Sequence, residues 1–422
     1  MYSVQDWIRY GAELRRPLVM MPGFDSAERV LVVGGGLSGL TLAYRIGKVR
    51  PDLRVDLVEK GGGFGGVIGR WKEGDWLCDL AVNASRPHPA FWRLIEDLEL
   101  KHAFQASNPL AKKRWVYLEG KRHEVGMKSA LKMGFVKLLV SLIRSRSGGR
   151  SVADVIPHRQ IADALTLGIV NDTADRVDAD FLFPALTRFG PQPPKRTAWI
   201  RKKMQESYPL FTPVRGSLAS LEGGMTTMIE RLVTKLEQMP NVHLRLNTTL
   251  ASPTVAAAEF DLPLSSVIWT APLDESRPTT SLSIFAVGYR SEDVAAVPVG
   301  YGTLVPDSNM PISGILHESD VHLSARAPNG HRLFRLMVPH SRWGGDVAEV
   351  KKCVRELISI AEPVLFRQIA ERKIPRYPPG HLARIARDIR KVNRAGWGTS
   401  GVSITHIACE AERFAAALNP AI

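Results

Sequence analysis

Cysteine is scarce in this sequence: three residues in 422, at Cys78, Cys353 and Cys409. They share no metal-ligand spacing and are too few for a disulfide framework. A zinc ribbon and a stapled secreted fold are therefore excluded, and a reducing compartment such as cytosol or mitochondrial matrix is favoured. Long apolar runs are missing too; none reaches the ~20 residues that a membrane-crossing helix needs. Zinc fingers, RRM signatures and helix-turn-helix patterns are absent, so no specific nucleic-acid motif is carried. Acids are in deficit: 42 Asp and Glu stand against 56 Lys and Arg, giving a net charge of +14 and a pI near 9.8. Such a surface attracts anionic partners. The excess is concentrated between Lys101 and Arg150, where twelve Lys and Arg face two acids. A solvated basic face accounts for part of it.

What is present suffices for a large core. A chain of 422 residues, 45% hydrophobic with a mean hydropathy of −0.07, is the profile of a soluble globular protein of two or three domains. Its organising stretch is Val30-Leu-Val-Val-Gly-Gly-Gly-Leu-Ser-Gly-Leu40. A buried strand leads into a glycine turn and a helix from about Ser38 to Val49. Gly34, Gly36 and Gly39 have the spacing that lets backbone approach a pyrophosphate at a helix N-terminus. A second strand, Arg54–Val58, ends at Glu59, an acid placed about 20 residues on to bind an adenosine ribose. Together these predict a dinucleotide site.

A second glycine turn follows, with Gly65 and Gly66 inside Gly61–Arg70. An NAD enzyme has no need of it, and the pair after Glu59 resembles the signature of FAD-dependent amine-oxidase-like flavoproteins. Further blocks resemble one branch of them, the protoporphyrinogen oxidases, in that family's order. They are Lys113–Gly120, Leu221–Met228, Gly300-Tyr-Gly-Thr-Leu-Val-Pro306, Ser313–His317, Ile374–His381 and Gly398–Ala408. The likeness runs from Arg29 to Leu418.

The resemblance implies an α/β protein with a discontinuous Rossmann-like FAD-binding domain (25–90, 216–278 and 385–422). A mixed-sheet substrate-binding domain (91–118 and 279–384), a helical, membrane-associating insertion (119–215) and an N-terminal arm (1–24) complete it. FAD is expected at Gly34, Gly36, Leu37, Ser38, Gly39, Glu59, Lys60, Gly65, Gly66, Val67, Asn83 and Thr249, and along Gly401, Val402, Ser403 and Ile404. Protoporphyrinogen IX, a large apolar disc with two propionates, is expected at Arg114, Gly168, Tyr301, Leu304 and Met337. Arg114 is the propionate partner, since a guanidinium fork suits a carboxylate better than an ammonium does. No catalytic base, nucleophile or metal is assigned, because the family's flavin accepts the hydride and the protein orients the ring. His317, His381 and His406 are isolated and read as structural.

The stretch Lys128 to Gly148 has apolar residues at helical steps among lysines and arginines. It predicts a helix that either packs on a core or lies on an anionic membrane. The family is peripherally membrane-bound, so a mitochondrial inner-membrane location is implied, or the cytoplasmic side in a bacterium. Residues 1–24 read either as the remnant of a targeting segment or as a surface arm. Several family positions differ: Thr405-His406 replaces Asn-Asp, and Val170-Asn171-Asp172 replaces an aromatic-Ala-Gly turn. The alternative is thus a non-catalytic FAD-binding homologue, a structural subunit of a mitochondrial assembly. A homodimer remains the other assembly state in view.

Overall fold

The computed structural model describes residues 16–125, 149–156, 158–184, 187, 189–190, 199, 202–203, 206, 218–272, 278–388 and 391–418. The expected amphipathic helix at 128–148, the first fifteen residues of the arm and most of the connector 196–214 lie outside these.

The chain opens with β1 (Arg29–Val33), α1 (Leu37–Val49) and β2 (Arg54–Val58), then the hairpin β3 (Arg70–Glu73) and β4 (Trp76–Asp79). Helix α2 (Pro89–Asp97), β5 (Phe104–Ala106), β6 (Arg114–Leu118) and β7 (Lys121–Glu124) follow. Short helices α3 (Val152–Val155), α4 (Arg159–Val170) and α5 (Ala179–Leu182) precede β8 (Ala219–Leu221), α6 (Thr226–Glu237), β9 (Val242–Arg245), α7 (Pro253–Glu259) and β10 (Val267–Trp269). The last third runs β11 (Thr279–Arg290), β12 (Gly302–Leu304), β13 (Gly314–Leu316), α8 (Glu318–Val321), β14 (His331–Pro339), α9 (Val347–Leu357) and β15 (Leu365–Pro375). It closes with α10 (His381–Arg387), β16 (Asn393–Arg394) and α11 (Ile404–Leu418).

Two sheets carry the architecture. The first is parallel, in the order β16-β10-β1-β2-β9. Its strands are nearly all apolar because helices cover both faces. Val30 and Val32 point to the side packed by α1, α6 and α11, while Leu31 and Val33 point to the side packed by α7. Helix α2, which lies past residue 90, buries Phe91, Leu94 and Ile95 in this same core.

The second sheet is mixed, in the order β15-β11-β14-β13-β12-β6-β7. On one face Phe285, Val287, Phe334 and Leu336 pack against Val350, Val354 and Leu357 of α9. The opposite face carries Arg114, Gly302, Leu304, Gly314, Arg335 and Met337, which register pairing places on one side. It is turned toward the end of the β3–β4 hairpin, since Arg335 reaches the backbone of Asp79 and Ala81. Helix α4 packs against β12 on this side.

Candidate functional site

The nucleotide end is built from the loops at the C-terminal edge of the parallel sheet. Gly34 and Thr270 lock there, with Thr270 Oγ donating to the carbonyls of Val33 and Gly34 at 2.9 and 3.0 Å. Glu59, at the end of β2, accepts from the Gly35 N–H at 2.7 Å and the Gly61 N–H at 2.8 Å. Its carboxylate therefore ties the first glycine loop to the start of the second. The Gly65 N–H donates to the Gly35 carbonyl at 2.8 Å, and positive φ at Gly65 and Gly66 (125° and 61°) lets the loops meet backbone to backbone. Lys60, Val67 and Thr249 are exposed around this junction, Thr249 beside Thr248, whose N–H donates to the Glu59 carbonyl.

Helix α1 begins at Leu37 with Gly36 as its N-cap and no side chain capping it. A Cβ on Gly36 would meet nothing nearer than 3.8 Å, and its φ of −75° is ordinary. The fold itself does not demand glycine here, and its absent side chain leaves the helix start open. Ser38 is 4% exposed, and its Oγ has no hydrogen-bond partner among the described residues. Open amides, a bare N-cap and an orphaned hydroxyl fit the pyrophosphate of a dinucleotide.

At the second sheet, the expected residues fall into two neighbouring groups. Arg114, Tyr301 and Asn83 form the first. The Arg114 guanidinium lies 4.7 Å from the centroid of the Tyr301 ring, and the Tyr301 hydroxyl donates to Asn83 Oδ1 at 3.3 Å. Burial pushes the Tyr301 hydroxyl up, so it stays protonated. Asn83 is 4% exposed, and its Nδ2 finds no partner among the described residues. Gly168, Leu304 and Met337 form the second group. A Cβ on Gly168 would touch Leu304 Cδ2 at 2.9 Å, and one on Gly314 would touch Met337 Cε at 2.8 Å. Arg114 pairs with Gly302 in register, so the groups lie within ~7 Å along β12. Arg114, Tyr301, Leu304 and Met337 are all partly exposed, as a ring-binding slot requires.

The run after Gly398 divides its roles. Gly401 has φ +104°, and a Cβ there would strike His406 Nδ1 at 2.8 Å and Arg16 Nη2 at 2.9 Å. Val402 packs against the helical core of Val152, Val170 and Tyr377, and Ile404 is buried in the nucleotide core. Ile404 can therefore offer a ligand only its backbone. Ser403 Oγ pairs with Thr405 Oγ1 at 2.9 Å. The histidines have structural partners: His381 Nε2 bonds the Gly398 carbonyl at 2.8 Å, and His317 pairs with Asp320.

Sequence reasoning missed two buried charged arrangements. In the first, Arg335 pairs with Glu318 at 2.9 Å, Arg326 with Asp79 at 3.1 Å, and His322 bridges Glu318 and Ser220. Arg335 Nη1 also donates to the carbonyls of Asp79 and Ala81, which sets the approach to Asn83. Burial alone would raise the Glu318 carboxyl, but Arg335 and His322 hold it down at about 2.

The second arrangement centres on Glu410 of α11. It accepts from the Gly396 N–H and from Thr399 Oγ, both at 2.7 Å. A Cβ on Gly396 would stand 3.1 Å from Ser38 Oγ, so Glu410 braces the loop that abuts the start of α1. Burial pushes Glu410 up to about 7 from 4.5. A carboxyl raised on folding contributes stability that is full below pH 4.5 and lost as pH rises through 7. The loss amounts to about 3 kcal/mol at most. Urea midpoints should therefore fall from pH 5.5 to pH 8 in the wild type, and Glu410→Gln should flatten that slope. An unchanged slope in the variant would remove Glu410 as its source.

Comparison with known proteins agrees with this geometry. Residues 32–98 match the NAD(P)-binding Rossmann-like domain family. A thiamine thiazole synthase of Ajellomyces capsulatus is 34% identical over 80 residues, which is 19% of this chain and 22% of that protein. The chain thus matches less than a quarter of that relative's length. Solved structures are similar over nearly the whole chain. A protoporphyrinogen oxidase candidate from Exiguobacterium sp. 255-15 superposes with a TM-score of 0.65 at 15% identity, covering 94% of this chain and 99% of that one. The chain has the flavin amine-oxidase-like fold. A reduced UDP-galactopyranose mutase gives a TM-score of 0.62 at 14% identity over 93% and 94% of the two chains. Cyclohexylamine oxidase from Brevibacterium oxydans IH-35A gives 0.61 at 14% identity over 92% and 98%. These distant likenesses establish the fold; the chemistry must come from the side chains.

Proposed function

We propose that this protein binds FAD and oxidises protoporphyrinogen IX, a flat and carboxylate-bearing tetrapyrrole, to protoporphyrin IX. The observation that carries the reading is the slot itself. A sheet face that presents Leu304 and Met337, both partly exposed, is rimmed by a guanidinium already stacked on an aromatic ring. Leu304 and Met337 would lie against the macrocycle, with Gly168 giving it room at the facing helix. Arg114 would take a propionate, its planar fork oriented by Tyr301 and Tyr301 in turn by Asn83. Glu59, the bare N-cap at Gly36 and the Ser38 hydroxyl would hold the ADP half of the cofactor. Bound FAD would supply the two-electron acceptor, and three two-electron rounds with oxygen as final acceptor would complete the oxidation. The protein's own part is to exclude water and align the ring, and no acid-base pair is needed.

Arg114→Ala should raise KM for protoporphyrinogen IX by about tenfold, the loss of one charge-assisted contact, with FAD content unchanged. Porphyrin fluorescence follows turnover and absorbance near 450 nm follows FAD. A variant with wild-type KM would dismiss the propionate role. A second reading, a flavin-binding protein without turnover, draws on Thr405-His406 and Val170-Asn171-Asp172, which stand where the resembled family has Asn-Asp and an aromatic-Ala-Gly turn. Stoichiometric FAD with no porphyrin formed would favour that reading.

A further inference from the structure

Residues 16–24 are built into the parallel-sheet domain. Val19 makes an antiparallel bridge with Arg394 of β16, whose N–H donates to the Val19 carbonyl at 2.9 Å. The Met21 N–H donates to Asn393 Oδ1 at 2.6 Å, and Phe24, 0% exposed, meets Phe414 of α11 edge-on at 5.5 Å. Arg16 is 3% exposed and joins three segments. Its Nη2 donates to the Phe181 carbonyl of α5 at 2.8 Å, and its own carbonyl accepts from Arg413 Nη1 of α11 at 3.1 Å. The same Nη2 would lie 2.9 Å from a Cβ on Gly401, with Cζ at 3.0 Å, so the guanidinium rests directly on the Gly401 backbone.

Gly401 belongs to the loop that follows the C-terminal end of β16, the edge at which open parallel sheets hold their ligands. The first half of this loop touches the nucleotide turn, through Gly396 and Ser38, and Glu410 fixes it through Gly396 and Thr399. In the second half, Gly401 (φ +104°) turns the chain into α11, the Ser403 N–H donating to the Gly401 carbonyl at 2.9 Å. Arg16 is the side chain that packs on this turn. With Ser400, His406, Glu410 and Arg413 it lines a cavity of about 10 Å³, room for about one water. The turn therefore has little space to shift while the guanidinium is there, and a shorter side chain at 16 would open it.

We propose that Arg16 is a positioning residue for the cofactor, setting the backbone of Gly401 to Ile404 against the flavin end of the site. The proposal rests on the FAD reading above. It makes a residue ahead of the nucleotide fold part of the cofactor site, acting through Gly401 without touching the ligand. Two variants test it. Arg16→Ala removes the guanidinium. Arg16→Lys keeps the charge, but an ammonium lacks the planar fork that bonds the Phe181 carbonyl and covers Gly401 at once.

Dissociation constants for FAD and ADP are measured for wild type and both variants, beside a melting curve for each. ADP carries the half expected at the glycine turn and Glu59, and FAD adds the half expected at the Gly401 run. Arg16→Ala should weaken FAD about tenfold, as the loss of one hydrogen bond does, with ADP unchanged, and Arg16→Lys should fall between it and wild type. FAD and ADP weakened alike, or neither weakened, overturns the proposal even where the melting temperature falls. If Arg16→Ala does not fold, Arg16→Lys decides by the same comparison. Loss of the fold in both variants would make Arg16 a residue of the core and overturn the positioning role. Wild type that binds ADP but not FAD would instead overturn the cofactor reading, and the proposal with it.

Discussion

Glu318→Gln is expected to destabilise the protein by about 3–5 kcal/mol, the loss usual when one partner of a buried ion pair is removed. Glu318 is 0% exposed, and Arg335 and Arg326 are 3% and 1% exposed. With a neutral amide at 318, Arg335 keeps its charge in the interior with only two carbonyls to face. The pH dependence has a definite sign. A carboxyl held at about 2 instead of 4.5 contributes stability above pH 4.5 and loses it as pH falls toward 2. The shift is worth about 3 kcal/mol at neutral pH. Equilibrium urea unfolding of wild type and variant at pH 7 and pH 3 measures both effects. A variant within 1 kcal/mol of wild type at pH 7, on the order of a surface pair, would mean the network does not hold the mixed sheet to the β3–β4 hairpin. The consequence reaches the site, because Arg335 anchors Asp79 and Ala81 just before Asn83.

Gly36→Ala should weaken FAD binding by about a hundredfold while leaving thermal stability nearly unchanged. The reasoning is geometric. A Cβ at Gly36 has room in the protein, with the nearest atom at 3.8 Å, but occupies the approach to the open N-terminus of α1. Gly39 gives the contrast: its Cβ would fall 1.9 Å from the Gly34 carbonyl oxygen, so Gly39→Ala should disturb the fold as well. FAD titration monitored by quenching of its fluorescence, beside a melting curve, separates the two outcomes. A Gly36→Ala protein that binds FAD as wild type does would remove the pyrophosphate from this helix.

The nucleotide half was the more legible part of the sequence because its signals are local. Strand, glycine turn, helix and second strand lie within thirty residues, and the expected Arg54–Val58 is the observed strand. The expected substrate residues were legible only as separate blocks: the structure brings Arg114, Tyr301, Leu304 and Met337 on or beside one sheet face, across strands far apart in sequence. The buried network was not. Asp79, Glu318, Arg326 and Arg335 are joined only by tertiary packing. The one available hint was that Arg335 shares the parity of Met337 along β14, so a charge had to point where an apolar residue pointed. Glu410 hid in the same way, since a carboxylate on the last helix reads as solvated until the loop from Gly396 folds over it.

Anaerobic mixing of the FAD-loaded protein with protoporphyrinogen IX tests the central claim most directly, by following absorbance near 450 nm together with porphyrin fluorescence. The account predicts that the flavin bleaches before oxygen is present, each FAD taking the first two electrons from a porphyrinogen, and that admitting oxygen restores the oxidised spectrum and lets porphyrin fluorescence rise. Bound flavin that stays oxidised while the porphyrinogen persists would contradict it.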